Sequence, residues 1–556
     1  MKSAAKIRLS AGTAVVGLAL VAGMVSHRVD TTSSSTVGAA STTATQGKSI
    51  TILPTPSGNY ADNFNPFAVT NDYGTFGFIY ESLFYYDTQT GKMWPILGQS
   101  YKWSNGNKTL TVSLNPKAKW TDGQPFTAND VAFTFDLLKK DPSADTNGIW
   151  TQLSSVATKG DNTVIFNFKN ANVPFGLEYV LGTYIVPQHI WSKISNPTKV
   201  TITNPVGTGP YVLNSFAPQD YTLKANPNYY RGKPPVPELN FPAFDSNASA
   251  SLAMIQGEID WAAVFMPNIQ QVYAAKSPNN HYWFPLGVTL NLSVDLKNPL
   301  LNQAVVRRAM SMAINRNDLA SKGEDGYDKP AEPDAVPYNM SSWQDPNLPA
   351  QDKSFSYNPA SAEALLNKAG YKKNSSGILV SPSGKPLSFT LIVVAGWSDE
   401  DTDASLIADD LKKIGIQVNV KEVTATAYQN QLSAHQFQLA INAAYGGPNP
   451  YYVYQENYDP HGEADWMQFN NPTVNQALDQ FAQTTDPTQQ EQLVYKIERV
   501  VAEQLPTIPL LYGATWYEYN TSRYTNWPSA SNAYISPSIW NYEGAAIVVM
   551  HLKPVN

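Results

Sequence analysis

Not one of the 556 residues is a cysteine, yet the chain opens with the marks of export. Lys2, Lys6 and Arg8 precede an apolar, uncharged run at residues 11–25. That run falls short of the about 20 residues a membrane-spanning helix needs, so it reads as a secretory leader. Val21-Ala22-Gly23 and Val37-Gly38-Ala39 both offer small residues for cleavage, and an uncleaved anchor stays open. Residues 31–45 are rich in Ser, Thr and Ala and read as a tether. The working part is therefore expected to begin near Lys48 and to act outside the cytoplasm, at the cell surface or in a periplasm, without disulfides. The missing thiol also excludes thiolate zinc sites, cysteine nucleophiles and a lipid-bearing N-terminal cysteine.

At roughly 150 residues per domain, the length predicts about three to four domains, or one body built from several lobes. Hydrophobic residues make up 42%, enough for real cores, but charged residues only 15%, against a usual ~25%. The polar surface must then rest on Asn, Gln, Ser, Thr and Tyr. The 31 tyrosines outnumber the 21 phenylalanines and 13 tryptophans, and tyrosine suits surfaces that meet amphipathic ligands. A net charge of -7 with no basic run argues against nucleic-acid binding.

The pattern along the body is α/β. Residues 49–54, 108–114, 163–168 and 259–264 read as strands. Thr127-Ala-Asn-Asp130 caps a helix carrying Val131, Phe135 and Leu138 on one face, and Gly257 stops a helix over 249–256. Leu301, Val305, Ala309 and Met312 form another helical face. A strand at 389–394, a helix bearing Ala404, Ile407, Ala408, Leu411 and Ile414, and alternating Ile416, Val418 and Val420 make a strand–helix–strand unit. The apolar stretch 545–550 is only strand-sized.

Catalytic motifs are missing. There is no phosphate loop and no G-x-S-x-G, and the six histidines show no metal-ligand spacing. Asp399, Glu400, Asp401 and Asp403 lack the glycine and distal glutamate of a calcium loop and read as acids at a helix start. Asp459, His461, Glu463 and Asp465 read as a solvated loop, and Glu258 with Asp260 as a common strand pair rather than glycosidase acids. No cofactor, metal or catalytic residue is expected.

Ordered segments then carry a resemblance. Asn63-Phe-Asn-Pro-Phe67, Tyr80-Glu-Ser-Leu-Phe84, the run 120–131 from Trp120 to Val131, Pro205-Val-Gly-Thr-Gly-Pro-Tyr211 and Asn226-Pro-Asn-Tyr-Tyr-Arg-Gly-Lys-Pro234 come first. Gly257-Glu-Ile-Asp260, Val306-Arg-Arg-Ala-Met310, Ala364-Leu-Leu-Asn-Lys-Ala-Gly-Tyr371 and Pro506-Thr-Ile-Pro-Leu510 complete the order. Together they resemble the family 5 extracytoplasmic solute-binding proteins of ABC importers, which include oligopeptide-, dipeptide- and cellobiose-binding proteins. Most of these motifs read as structural: Asp122-Gly123 as a turn, Gly207 to Pro210 as a tight crossover, Arg307 and Arg308 as a salt-bridge element.

The resemblance implies a type II periplasmic-binding architecture, with two main lobes around a ligand crevice plus an extra small lobe. Lobe I would use 48–90, 205–287 and 520–556, lobe II 91–204 and lobe III 288–519, after a 1–47 leader and tether. It implies a monomer that closes on a small ligand by hinge motion and delivers it to a membrane permease.

The ligand class follows from smaller signals. Peptide binders of the family hold the ligand's ammonium with an acid in a lobe III loop, and the matching stretch 442–452 contains none. Residues 394–399, 324–330 and 259–261 resemble the oligosaccharide-binding branch. An oligosaccharide of the cello-oligosaccharide type is therefore preferred over a peptide. Trp261, Trp397, Tyr445 and Tyr451 are candidate stacking platforms, and Asn63, Asn65 and Asn449 candidate hydrogen-bonding groups. Trp261 reads equally as pocket or core; Trp397, in a strand-to-helix loop, reads as pocket. An exported glycosidase and a surface sensing or adhesion protein remain the competing classes.

Overall fold

The strand–helix–strand unit near residue 400 shows how sequence period becomes architecture here. Ser388–Val394 is buried along most of its length and pairs in parallel with Gln417–Val423. The connecting helix, Ser398–Lys413, buries Ala404, Ile407 and Leu411 against it. Three acids open that helix and two lysines close it, complementing the helix dipole. In this computed structural model, residues 48–555 are described apart from 55–58, 69–70, 245–246, 265, 395–397, 424, 446, 448, 461 and 463.

Three larger sheets organise the chain. A six-stranded sheet runs Lys329–Pro330, Thr507–Ala514, Leu286–Val294, Leu439–Tyr445, Ser388–Val394, Gln417–Val423. A seven-stranded sheet runs Asn280–Tyr282, Glu518–Asn520, Trp261–Ala262, Ile50–Leu53, Glu238–Pro242, Asp220–Ala225, Tyr211–Ala217. A four-stranded antiparallel sheet, Gly98–Ser104, Thr109–Leu114, Thr163–Phe168, Leu153–Thr158, carries the helix Ala128–Lys140. That helix opens with the capping box expected from sequence: Thr127 and Asp130 satisfy each other's backbone N–H groups. One core spans the four- and seven-stranded sheets, and a second underlies the six-stranded sheet.

Some expectations change. Residues 545–550 lie within the helix Tyr542–His551, buried at nearly every position. A helix buried on all sides has no polar stripe, so periodicity cannot separate it from a strand. The strand expected at 259–264 is only Trp261–Ala262. Arg308 does form a salt bridge, to Asp352 at 3.3 Å. Arg307 is buried instead and donates to the carbonyls of Leu301, Gln504 and Leu505. Gly207 matters for close approach: a Cβ there would lie 1.8 Å from the Ile79 carbonyl oxygen. Among the described residues no helix is long and apolar enough to cross a membrane.

Candidate functional site

Three adjacent strands of the six-stranded sheet end at one cavity. Gly287, Val288 and Leu290 come from the central strand, Ala443 from one neighbour, and Gly513 and Ala514 from the other. These are small or aliphatic side chains, and they leave room for a cavity of about 920 Å³. Opposite them stand Tyr85 and Tyr86 of the hairpin strand Phe84–Asp87, Tyr179 of the turn Gly176–Val180, and Trp540 and Tyr542 of the C-terminal segment.

The aromatic side is rigidly backed. Tyr542 packs on Phe76 with ring centroids 5.3 Å apart, and Tyr184 lies 4.5 Å from the same ring. Trp516 meets Phe284 edge-on at 4.9 Å. Trp540 meets Tyr73 edge-on at 6.4 Å, while the Tyr73 hydroxyl donates to the Ile539 carbonyl at 2.7 Å. The remaining face of Trp540 is open, 45% of the residue being exposed. An open indole at a cavity rim is a platform for an apolar ligand face.

The charged part of the lining is acidic. Glu178, Glu324, Asp328, Asp399, Glu400 and Glu543 all line the cavity, and among the described residues no Lys, Arg or His does. Glu543 Oε1 accepts from the Ser82 N–H at 2.6 Å and hydroxyl at 3.1 Å. Burial, then Glu456, pushes the Glu178 carboxyl up to about 7. Burial, then Asp399, Asp403 and Asp401, pushes Glu400 up to about 8. Asn339 donates to the Thr88 carbonyl at 3.0 Å, and its buried Oδ1 has no partner among the described residues. It is free to accept from a ligand hydroxyl.

The residues picked from sequence fall elsewhere. Trp261 is fully buried in the core, edge-on to Tyr517 at 6.1 Å and Trp527 at 5.7 Å. Tyr451 is buried on the helix Pro450–Tyr458, stacked on Phe481 at 4.7 Å. Asn449 caps that helix, accepting from the Tyr451 N–H at 3.0 Å. Asn65 donates to the carbonyls of Pro197 and Val200, both at 2.7 Å, and Asn63 accepts from the Ile202 N–H at 3.1 Å. Each of these five side chains is spent on holding the fold. Tyr445 ends the strand Leu439–Tyr445, paired with Val288, and its side chain lies outside the description. Trp397 lies outside the described residues, two positions before the cavity-lining Asp399.

Trp516, Trp540, Tyr542 and Glu324 were missed by sequence reasoning. Glu324 does sit in the 324–330 segment that resembles the oligosaccharide-binding branch. Trp516 lies between the strands Thr507–Ala514 and Glu518–Asn520, and Trp540 and Tyr542 lie at the start of the helix Tyr542–His551, where no motif flags them.

The comparisons with known proteins then decide the lineage. Residues 92–465 match bacterial extracellular solute-binding proteins, family 5, over the middle region of that family. The chain belongs to this family. It is a solute-binding protein of an ABC importer, with the type II periplasmic-binding fold, and its family takes up small molecules together with a membrane permease. A peptide-binding protein of an ABC transporter from Brucella ovis is 26% identical over 481 residues, covering 83% of this chain and 85% of the relative. The oligopeptide-binding protein AppA of Bacillus subtilis is 26% identical over 430 residues, 75% of this chain and 77% of its own length. A crystal structure of a Thermotoga maritima periplasmic oligopeptide-binding protein superposes with a TM-score of 0.82 at 25% identity, over 92% of this chain and all of that one. The mannohexaose-bound structure of the Thermotoga protein gives 0.74 at 26% identity, over 92% and 99%.

Proposed function

We propose that this protein captures an oligosaccharide in the 920 Å³ cavity and presents it, enclosed by hinge closure, to its permease. The observation that carries this reading is the composition of the wall: aromatic platforms and hydrogen-bond acceptors, with no basic side chain among the described residues that line the cavity. A sugar offers apolar C–H faces for Trp540 and Tyr542, and a rim of hydroxyls that donate to Asn339 Oδ1 and the carboxylates. A free peptide brings a terminal carboxylate, for which the described residues of this wall supply no cation. The mannohexaose held by the Thermotoga relative supports the same class. Closure would bring the cavity's two sides together, so that only contacts stronger in the closed form drive it. On sequence grounds alone, Trp397 remains a proposed further platform. An oligopeptide is the second reading, favoured by the names of the Brucella and Bacillus relatives.

Calorimetric titration of cello-, xylo- and manno-oligosaccharides beside di- to pentapeptides tests the proposal. Saturable binding of at least one saccharide series is expected. Binding confined to peptides contradicts it.

A further inference from the structure

Four acids that line the cavity, Glu324, Asp328, Asp399 and Glu400, gather with a fifth, Asp403. Asp399, Glu400 and Asp403 share a face of the helix Ser398–Lys413, being three and four residues apart. The segment after Leu319–Gly323, which packs against that helix, contributes Glu324 and Asp328. The approach is tight: a Cβ on Gly323 would lie 2.0 Å from Asp403 Oδ1. Glu324 is 3% exposed and yet lines the cavity, and its Oε1 has no hydrogen-bond partner among the described residues. Neither oxygen of the fully buried Asp403 has one, nor does Glu400 Oε2. Asp328 Oδ1 accepts from the Ala514 N–H at 2.9 Å.

Folded proteins rarely leave so many buried carboxylate oxygens unmatched, since each unmade bond costs about 1–3 kcal/mol or more. Helix-dipole complementarity accounts for Asp399 and Glu400 in the first turn. It does not account for Glu324 and Asp328, which come from another segment and face the same acids. Among the described residues no group of three acids is arranged to hold a metal ion. An organic cation entering from the cavity would satisfy the cluster. A protonated primary amine offers three donors on a compact charge, and the carboxylates offer acceptors on several sides.

We propose that Glu324, Asp328, Asp399 and Glu400 form a subsite for a primary ammonium group on the ligand, with Asp403 behind them adding negative charge. This rests on the reading of the cavity as the ligand site and narrows the ligand to one that is hydroxylated, cationic and free of carboxylate. An oligosaccharide of amino sugars has all three properties, and a lysine side chain supplies the same ammonium on a peptide. Burial and mutual repulsion favour the protonated forms of these acids. Burial, then Asp328 and Asp399, pushes Asp403 up to about 8, and burial with the surrounding acids raises Glu324 further. Ammonium binding then displaces protons from these groups.

The test is calorimetry on the full chain at pH 7 and low salt. The ligands are β-1,4-linked glucosamine hexamer, cellohexaose, a lysine-containing pentapeptide amidated at its C-terminus, and calcium chloride alone. Glucosamine hexamer differs from cellohexaose only in carrying ammonium for hydroxyl at C2. It should bind about tenfold tighter or better, the worth of one charge-assisted hydrogen-bonded contact. In Glu324→Gln that ratio should fall toward one, and Asp399→Asn serves as a second variant if the first folds poorly. Cellohexaose binding as tightly as glucosamine hexamer overturns the ammonium subsite while leaving the saccharide reading standing. Binding of the lysine peptide alone, weakened by Glu324→Gln, supports the subsite and overturns the saccharide reading. A thermal shift produced by calcium alone and lost in Glu324→Gln overturns the subsite in favour of a metal. Absence of binding by all four overturns it too.

Discussion

The interior beside the seven-stranded sheet and the wall of the cavity use the same residue types to opposite ends. In the interior, Trp261 is enclosed by Tyr517 and Trp527, and Asp260 Oδ2 accepts from Arg523 at 2.8 Å and the Thr51 N–H at 2.9 Å. At the cavity, Trp540 shows an open face and the Glu324 Oε1 has no partner among the described residues. A tryptophan or an acid with its partners in place supports the fold. One without them, in a concave wall, is available to a ligand.

The largest effect expected from this contrast is Trp261→Ala. Truncating an enclosed indole costs about 3–5 kcal/mol, so denaturant unfolding should show a large loss of stability, with affinity unchanged in the fraction that folds. A mild variant that binds weakly would move Trp261 back toward the ligand. Next comes Asp260→Ala, which removes the acceptor of the Thr51 N–H and leaves Arg523 the Ser49 carbonyl at 3.2 Å; about 1.5–3 kcal/mol of stability should go, as for hydrogen bonds to charged groups. Trp540→Ala should do the reverse. Removing one stacking platform should weaken saccharide binding by about 1–3 kcal/mol, by analogy with aromatic stacking elsewhere, while the ligand-free melting temperature barely moves. Equal affinity with a large drop in melting temperature would dissolve the distinction between the two regions.

The same contrast extends to pH dependence. Glu400 and Asp403 sit at about 8 in the folded protein, against about 4 for unfolded carboxyls. Between those values the folded state holds protons that the unfolded state has released. Their contribution is therefore complete below about pH 4 and is lost as pH rises through about 8. The melting temperature of the ligand-free protein should fall between pH 6 and pH 9, and Asp403→Asn should flatten that slope. An unchanged slope would mean that the cluster is ionised and partnered.

Much of the fold was legible because period and caps are local. Thr127 and Asp130 announce a helix within four residues, and the alternation after Ile416 marks a strand edge-on to solvent. The helix Tyr542–His551 was not, because an element buried on all sides carries no period. The site was harder still. Trp261 and Trp540 are distinguished only by neighbours that arrive from far along the chain: Tyr517 and Trp527 close around the first, while Tyr73 backs the second and leaves its other face open. The acids of 399–403 read as ordinary helix-start charges until folding sets Glu324 and Asp328 against them.

A crystal structure of the full chain grown with the tightest-binding hexasaccharide tests the central claim most directly. The account predicts sugar rings against Trp540 and Tyr542, with hydroxyl or ammonium groups within hydrogen-bonding distance of Glu324 and Asp328. Sugar bound outside the cavity, or a cavity empty at saturating saccharide, would contradict it.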